Sequence, residues 1–171
     1  MRLAGYGSQM SSRAQVSGAG DVRRAGIADL ADATRLFVAY LRFYGKDTPE
    51  DAAREFIAER LRRQDSVILL ARDGDAACGF MQLYPTFASL SLAPGWILND
   101  LYVDVQTRGR GLGEKLMAAA RALAQANGAA EILLQTARDN LPAQRLYERL
   151  GYRRDDEFLV FTLDPRATSR S

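Results

Sequence analysis

The sequence predicts an α/β fold, in which β-strands and α-helices alternate along one chain. Segments whose apolar residues recur at helical spacing lie between short apolar runs of strand length. Of the 171 residues, 47% are hydrophobic and 26% are charged, a balance typical of an ordinary globular protein with one buried core. No internal repeat and no dividing linker is visible, so we expect a single domain over residues 21–164.

The two ends of the chain differ from this pattern. Residues 1–20 are rich in Ser, Gly and Ala and lack the apolar segment of a secretory signal, so we expect them to form a disordered leader. Residues 165–171 are polar and are expected to form a frayed tail.

The first part of the domain is predicted to contain one strand and two helices. A short strand is expected from Asp21, and a helix follows from about Ala28 to Gly45 because its apolar residues recur on one face. Thr48 and Pro49, followed by two acidic residues, are typical of a helix start and predict the second helix.

A β-rich block comes next. Apolar runs predict strands at residues 66–71, at residues 77–84 and from Trp96 to about Val103. The tripeptide Asp73-Gly74-Asp75 is typical of a tight turn between the first two. Residues 85–94, which begin and end with proline, are expected to form a loop.

The last part of the domain returns to alternation. A helix is predicted after the glycines that end at Gly113, and Asn127-Gly128 is typical of its C-terminus. Residues 131–136 form the next predicted strand. Asn140 opens a further helix as its N-cap, and residues 158–163 are predicted to form a final strand.

Composition excludes several chemistries. The chain has no histidine, so it cannot contain a Ser-His-Asp or Cys-His catalytic group or a His-ligated metal, and we expect no metal. The single cysteine, Cys78, cannot form an intramolecular disulfide, which fits a reducing cytoplasm. A net charge of +2 with scattered arginines argues against a nucleic-acid partner, and no apolar run approaches the ~18 residues of a membrane span.

A glycine-rich turn at residues 108–114 is the most informative segment of the chain. Its alternate glycines let the backbone approach an anion, the following helix start offers N–H groups, and two arginines add charge. These features together predict a diphosphate site. The Walker pattern is excluded because Gly113 is followed by Glu114, and the glycine spacing does not fit the dinucleotide fingerprint. On the glycines alone, a tight turn without a ligand is the alternative.

Two motifs in this order resemble the GCN5-related N-acetyltransferase (GNAT) superfamily. They are Arg108-x-x-Gly111-x-Gly113, between a strand and an Ala/Leu-rich helix, and Asn140-x-x-Ala143-x-x-x-Tyr147-x-x-x-Gly151-Tyr152. The element order from Asp21 to Leu163 also fits this family. The resemblance implies the GNAT fold, a mixed twisted β-sheet flanked by helices on both faces. It also implies that acetyl-CoA binds in the cleft where the fourth and fifth strands part.

The resemblance assigns cofactor-binding roles to backbone groups. The CoA pyrophosphate would be held by the glycine turn, whose residues are Arg108, Gly109, Arg110, Gly111, Leu112, Gly113 and Glu114. The pantetheine arm would pair with the strand before it, at Leu101, Tyr102 and Val103. The Leu101 amide would also polarise the thioester carbonyl. Asn140 matches a position near the pantetheine, although its role as a helix N-cap would explain it equally well.

The resemblance also implies the catalytic groups. Tyr147 matches the general acid that protonates the departing thiolate, and packing in an apolar helix face is its alternative role. An acceptor amine of pKa ~10 must lose a proton, and the polyamine-acetylating branch of the family carries two acids where this chain has Asn99-Asp100. Asn99 cannot act as a base, so Asp100 is the predicted base and Asp104 the alternative. Alternation along a strand leaves the direction of Asp100 open.

The acceptor is the least determined part of the prediction. Tyr44, Asn99 and Trp96 are predicted to bind it, although such aromatic residues also occur in ordinary cores. Arg42 and Lys46 favour an acceptor that carries a carboxylate or a phosphate.

The expected function is direct transfer of the acetyl group of acetyl-CoA to the primary amine of a small molecule, either amino acid-like or polyamine-like. The alternatives are a non-catalytic acyl-CoA-binding regulatory domain of the same fold and a nucleotide-binding protein. A homodimer is compatible with the resemblance, because dimers are common in that family.

Overall fold

The computed structural model of this protein describes residues 22–166. The predicted leader at residues 1–20, and residues 167–171 of the predicted tail, lie outside this range. The chain forms two compact units, of which one ends at Gln135 and the other begins at Thr136. Each is described by itself, and the single domain over residues 21–164 stays a prediction. No helix among the described residues has both the length and the apolar character that a membrane span requires.

The described part of the first unit, residues 22–135, contains one sheet and three α-helices. Its elements are β1 (Val22–Arg24), α1 (Leu30–Phe43), α2 (Glu50–Arg63), β2 (Val67–Asp73), β3 (Ala76–Ala88), β4 (Ala93–Val103), α3 (Leu112–Ala126) and β5 (Glu131–Leu134). The strands lie in chain order across the sheet, β1 to β4 antiparallel and β5 parallel to β4. The predicted α/β class and the mixed sheet are therefore confirmed.

One face of the sheet, the α1/α2 face, is covered by the first two helices. Leu36 and Phe37 of α1 and Ile57 of α2 share a buried cluster with Phe80 of β3 and Tyr102 of β4. Side chains on a strand alternate between the two faces of the sheet, so the even-numbered residues of β3 near Phe80 also point to this side. The core on this face therefore rests on the apolar stripe of each helix.

The opposite face, the α3 face, is covered by α3. Gly79 of β3 points to this side because its neighbour Phe80 points to the other. A Cβ built on Gly79 would lie 3.0 Å from Leu116 Cδ1 and 3.0 Å from Ala71 Cβ. The glycine thus allows α3 to pack closely on β3, and the sheet carries helices on both faces.

The prediction of a loop at residues 85–94 is wrong. β3 and β4 continue through it as one long hairpin, in which Pro85 pairs with Trp96 and Phe87 with Pro94, closed by a 3₁₀ turn at Ser89–Ser91. Proline usually signals a loop because it has no N–H to donate. Here β2 pairs with β3 only up to Leu83, so Pro85 has a strand neighbour on one side alone.

Residues 136–166 of the second unit contain one helix, α4 (Leu141–Arg149). Asn140 Oδ1 accepts a hydrogen bond from the Ala143 N–H at 3.4 Å, which confirms the predicted N-cap. The final strand predicted at residues 158–163 is wrong, because residues 153–166 contain neither helix nor strand. Asp155 Oδ1 instead accepts hydrogen bonds from the N–H groups of Glu157 and Phe158 at 2.9 Å and 3.0 Å, which turns the chain locally.

Candidate active site

A β-bulge at Asn99 decides which way the side chains of β4 point. Leu98 pairs with Leu83 and Asp100 pairs with Gln82, so β4 advances two residues where β3 advances one. Asn99 is the extra residue. Because the neighbours Leu83 and Gln82 point to opposite faces, their partners Leu98 and Asp100 do so as well.

The bulge separates Trp96 from Asp100. Trp96 and Leu98 point to the α3 face, and the indole of Trp96 is completely buried. Asp100 and Tyr102 point to the α1/α2 face. The side chains of Trp96 and Asp100 therefore lie on opposite faces of the sheet, and the acceptor-binding role of Trp96 stays a prediction.

Asp100 is a buried carboxylate held by neutral donors. The residue is 5% exposed, and it accepts hydrogen bonds from the Tyr40 hydroxyl of α1 and from Asn99 Nδ2, which lies 3.2 Å from each carboxylate oxygen. Burial raises the pKa of Asp100 above its usual range, and the hydrogen bonds from Tyr40 and Asn99 oppose that shift. A raised pKa makes the Asp100 carboxylate a stronger proton acceptor than an exposed aspartate.

Aromatic rings of α1 lead from the surface to Asp100. Tyr44, 47% exposed at the end of the helix, contacts Tyr40 with ring centroids 5.0 Å apart, and Tyr40 contacts the buried Phe37 at 6.1 Å. The predicted acceptor residue Tyr44 thus lies beside the Tyr40 ring whose hydroxyl contacts Asp100. The i,i+4 spacing of Tyr40 and Tyr44 predicts that they share one helix face, but it does not predict the hydrogen bond from Tyr40 to Asp100.

Tyr84 of β3 points to the same face of the sheet as Asp100 and is near enough to interact with its charge. Burial, followed by the charge of Asp100, raises the pKa of Tyr84 to about 12. Its hydroxyl therefore stays protonated at neutral pH and can offer a hydrogen bond without carrying charge.

The backbone of β4 has an open edge beyond the bulge. β5 pairs with Gly95–Leu98 of β4 and ends at Leu134, so among residues 22–135 no strand pairs with that edge at residues 99–103. The Asp104 N–H donates to the Cys78 carbonyl of β3 at 2.8 Å, whereas the Val103 carbonyl accepts from Arg108 Nε at 3.1 Å. The backbone N–H and C=O groups of successive strand residues point alternately to the two edges of the strand. Those of Leu101 and Val103 therefore point to the open edge, and those of Tyr102 point to β3.

Two of the three predicted pantetheine positions have backbone groups directed to the open edge, and the roles of all three stay predictions. Leu101 and Val103 present their amides at the open edge, where an extended ligand could add itself as a further strand. Tyr102 keeps its predicted role as a prediction, since its backbone faces β3 and its side chain packs in the core.

The glycine turn has the backbone conformation that the sequence predicts. Gly109 and Gly111 have φ values of +79° and +76°, in the left-handed region, and a Cβ built on either meets nothing within 4 Å. α3 begins at Leu112, and the first intrahelical bond runs from the Lys115 N–H to the Gly111 carbonyl at 3.0 Å. The N–H groups of Leu112 and Gly113 therefore have no acceptor inside the helix, as is usual at a helix N-terminus.

The two arginines of the turn lie in different environments. Arg110 forms a salt bridge with Asp73 at the end of β2. The Arg108 guanidinium lies over the rings of Phe43 and Tyr102, at 5.4 Å and 6.0 Å from their centroids. Across residues 22–166 Arg108 makes no ion pair, so its charge is available to an anion. With the N–H groups at the helix start, it forms a donor set that fits a diphosphate.

The second unit carries the remaining predicted residues. Asn140 caps α4, and the ring of Tyr147 on that helix lies 6.0 Å from the ring of Tyr152. Their roles toward a cofactor stay predictions.

Known proteins resemble this chain over most of its length. The Acetyltransferase (GNAT) family model matches residues 32–152. Uncharacterized N-acetyltransferase YhfO of Bacillus subtilis (strain 168) is 40% identical over 144 residues, which cover 84% of this chain and 97% of the relative. A crystal structure described as that of a "probable acetyltransferase" has a TM-score of 0.81 at 38% identity and covers 87% of this chain and 100% of its own.

A further solved structure resembles this one in fold alone. Aminoglycoside N-acetyltransferase AAC(6')-Iy in complex with CoA has a TM-score of 0.73 at 21% identity, with 85% of this chain and 94% of the other covered. The family assignment does not depend on this likeness. It rests on the family model, which matches more than half of the residues, and on the relative that is 40% identical. The chain therefore belongs to the GNAT family of acetyltransferases.

Proposed function

We propose that this protein is an N-acetyltransferase that transfers the acetyl group of acetyl-CoA directly to the primary amine of a small molecule. One relationship carries the proposal. Asp100, a buried carboxylate on the α1/α2 face, is followed directly by Leu101, whose backbone is directed to the open edge of β4. A proton acceptor and a donor for a carbonyl oxygen are thus consecutive residues.

The chain offers a continuous set of groups to acetyl-CoA. The N–H groups of Leu112 and Gly113 and the guanidinium of Arg108 would hold the pyrophosphate, and the Leu101 and Val103 backbone would pair with the pantetheine arm. When bound, acetyl-CoA supplies a thioester whose acetyl carbon accepts the amine, so that an N–C bond forms as the C–S bond breaks. Membership of the GNAT acetyltransferase family supports this cosubstrate.

The residues of this chain would then manage charge and protons. Asp100 would take the proton from the acceptor amine, whose own pKa of ~10 keeps it mostly protonated at neutral pH. The Leu101 N–H would stabilise negative charge on the thioester oxygen, a contribution that is typically ~3–4 kcal/mol. Tyr147 would return a proton to the thiolate that leaves.

The acceptor is expected to enter at the end of α1. Tyr44 and Asn99 are both exposed there and lie beside Tyr40 and Asp100. The exposed Arg42 at the end of the same helix favours an acceptor with a carboxylate or phosphate, such as an amino acid, over a polycation.

The test is thiol release from acetyl-CoA by the purified protein, with amino acids, polyamines, aminoglycosides and short peptides as acceptors. Release with one class, and its loss in Asp100→Asn, would support the proposal and identify the acceptor. Binding of acetyl-CoA in calorimetry without release for any acceptor would favour the non-catalytic acyl-CoA-binding alternative. Absence of binding would show that the site lies elsewhere.

A further inference from the structure

The hydroxyl of Tyr40 connects helix α1 to strand β4 through its hydrogen bond to Asp100. Asp100 is 5% exposed and makes no ion pair with Lys or Arg in the part of the chain that the structure describes. The side chains that support its negative charge are the neutral Tyr40 hydroxyl and Asn99 amide. An ionised group that is removed from water depends strongly on such donors.

The ring of Tyr40 is held on two sides. Phe37 stacks against it with a centroid distance of 6.1 Å and an interplanar angle of 18°, and Tyr44 meets it edge-on at 5.0 Å and 63°. Phe37 is itself buried in the core of the α1/α2 face. A ring fixed in this way presents its hydroxyl in a defined direction, which is the usual requirement for a residue that orients a catalytic group.

The groups that face this site from β3 and α2 are accounted for. Gln82, the register partner of Asp100, is uncharged. Tyr84 has a pKa of about 12. Burial and the charges of Asp100 and Asp65 raise this pKa, and the charge of Arg60 lowers it. Arg60 and Asp65 form an ion pair with each other at 2.9 Å. The pH dependence of the site is therefore expected to come from Asp100.

We propose that Tyr40 is a positioning residue, whose hydroxyl holds the Asp100 carboxylate in its ionised form for the reaction with the acceptor amine. The inference rests on the proposed function, in which Asp100 accepts the proton of the amine. Tyr40 makes and breaks no bond in that reaction. Burial raises the pKa of Asp100, and the hydrogen bond from Tyr40 lowers it. Loss of the Tyr40 hydroxyl would therefore raise the pKa further, so that Asp100 would take up a proton at a higher pH.

The first test is the pH profile of kcat/KM for Tyr40→Phe. The acidic limb is expected to move to higher pH, so that activity on this limb falls about tenfold, while the alkaline plateau changes by less than about twofold. Tyr44→Phe is the matched control: it removes a hydroxyl one turn along the same helix, and its acidic limb should stay in place whatever happens to KM. A limb that does not move in Tyr40→Phe would overturn the inference.

The second test does not require turnover. The carboxyl ¹³C resonance of Asp100, assigned through Asp100→Asn, is titrated in the wild-type protein and in Tyr40→Phe. A higher midpoint in the variant supports the role of Tyr40, and equal midpoints overturn it. If the wild-type protein acetylates no amine while the midpoints differ, the proposed function fails and the interaction of Tyr40 with Asp100 stands.

Discussion

Asn99 and Asp100 are consecutive residues of β4, yet the Asn99 amide nitrogen lies 3.2 Å from both carboxylate oxygens of Asp100. In a regular strand their side chains would point to opposite faces. The bulge brings them to one side and makes Asn99 part of the electrostatic environment of the proposed base. A change at Asn99 should therefore alter the protonation of Asp100 without touching its burial on the helix side.

Asn99→Asp should move the acidic limb of the kcat/KM profile to higher pH. The substitution replaces a hydrogen-bond donor by a second carboxylate, and a like charge disfavours the ionised form of Asp100. Asn99→Ala, which removes the donor and adds no charge, should move the limb in the same direction by a smaller amount. Equal profiles for the wild-type protein and Asn99→Asp would mean that another group titrates in the reaction.

Asp100→Asn should lower kcat by about 10²–10⁴-fold, the usual contribution of a general base. The amide keeps the size of the side chain and can still accept a hydrogen bond from Tyr40, so the fold should be retained. Calorimetric affinity for acetyl-CoA is the control and should change by less than about twofold, because the proposed cofactor groups lie on the backbone of β4 and at the start of α3. A variant with normal turnover would remove Asp100 from the mechanism.

The same substitution should change the pH dependence of stability. The folded-state pKa of Asp100 is raised, mainly by burial, so the folded state holds its proton more tightly than the unfolded state does. Its stabilising contribution is then present below the unfolded pKa and is lost as pH rises through the folded pKa. Denaturant unfolding should show that the free energy of unfolding of the wild-type protein falls as pH rises through that window. Asp100→Asn should lack this fall. Parallel curves for the two proteins would contradict the raised pKa.

Local signals in the sequence were sufficient for much of the fold. The glycines before α3 and the N-cap at Asn140 act within a few residues, so both helix starts could be predicted. The bulge at Asn99 could not be predicted from local signals, because a bulge is defined by the register of β4 with β3. For the same reason the pattern of residues 158–163 predicts a strand that the structure lacks: a strand also needs a partner. The contact between Tyr40 and Asp100 depends on how α1 packs, which no local motif encodes.

Gly111→Asp should abolish measurable acetyl-CoA binding. Gly111 has a φ of +76°, and its missing side chain leaves open space at the proposed pyrophosphate site. Gly111→Asn adds a side chain of the same size and similar tolerance of a positive φ, but without the charge, so the difference in calorimetric affinity between the two variants isolates repulsion of the anion. If both variants bind with wild-type affinity, the glycine turn does not hold the pyrophosphate.

Tyr147→Phe should lower turnover at least tenfold with little loss of acetyl-CoA affinity. The proposed role of Tyr147 is to donate its phenolic proton to the thiolate, and that proton is needed only as the C–S bond breaks. Tyr152→Phe is the matched control, because its ring lies 6.0 Å from that of Tyr147 and it loses the same atom without the proposed role. Thiol release under saturating acetyl-CoA measures turnover, and calorimetry measures affinity. A tenfold loss confined to Tyr147→Phe supports proton donation, whereas equal losses in both variants would show that the hydroxyls of this pair act on the packing of the second unit.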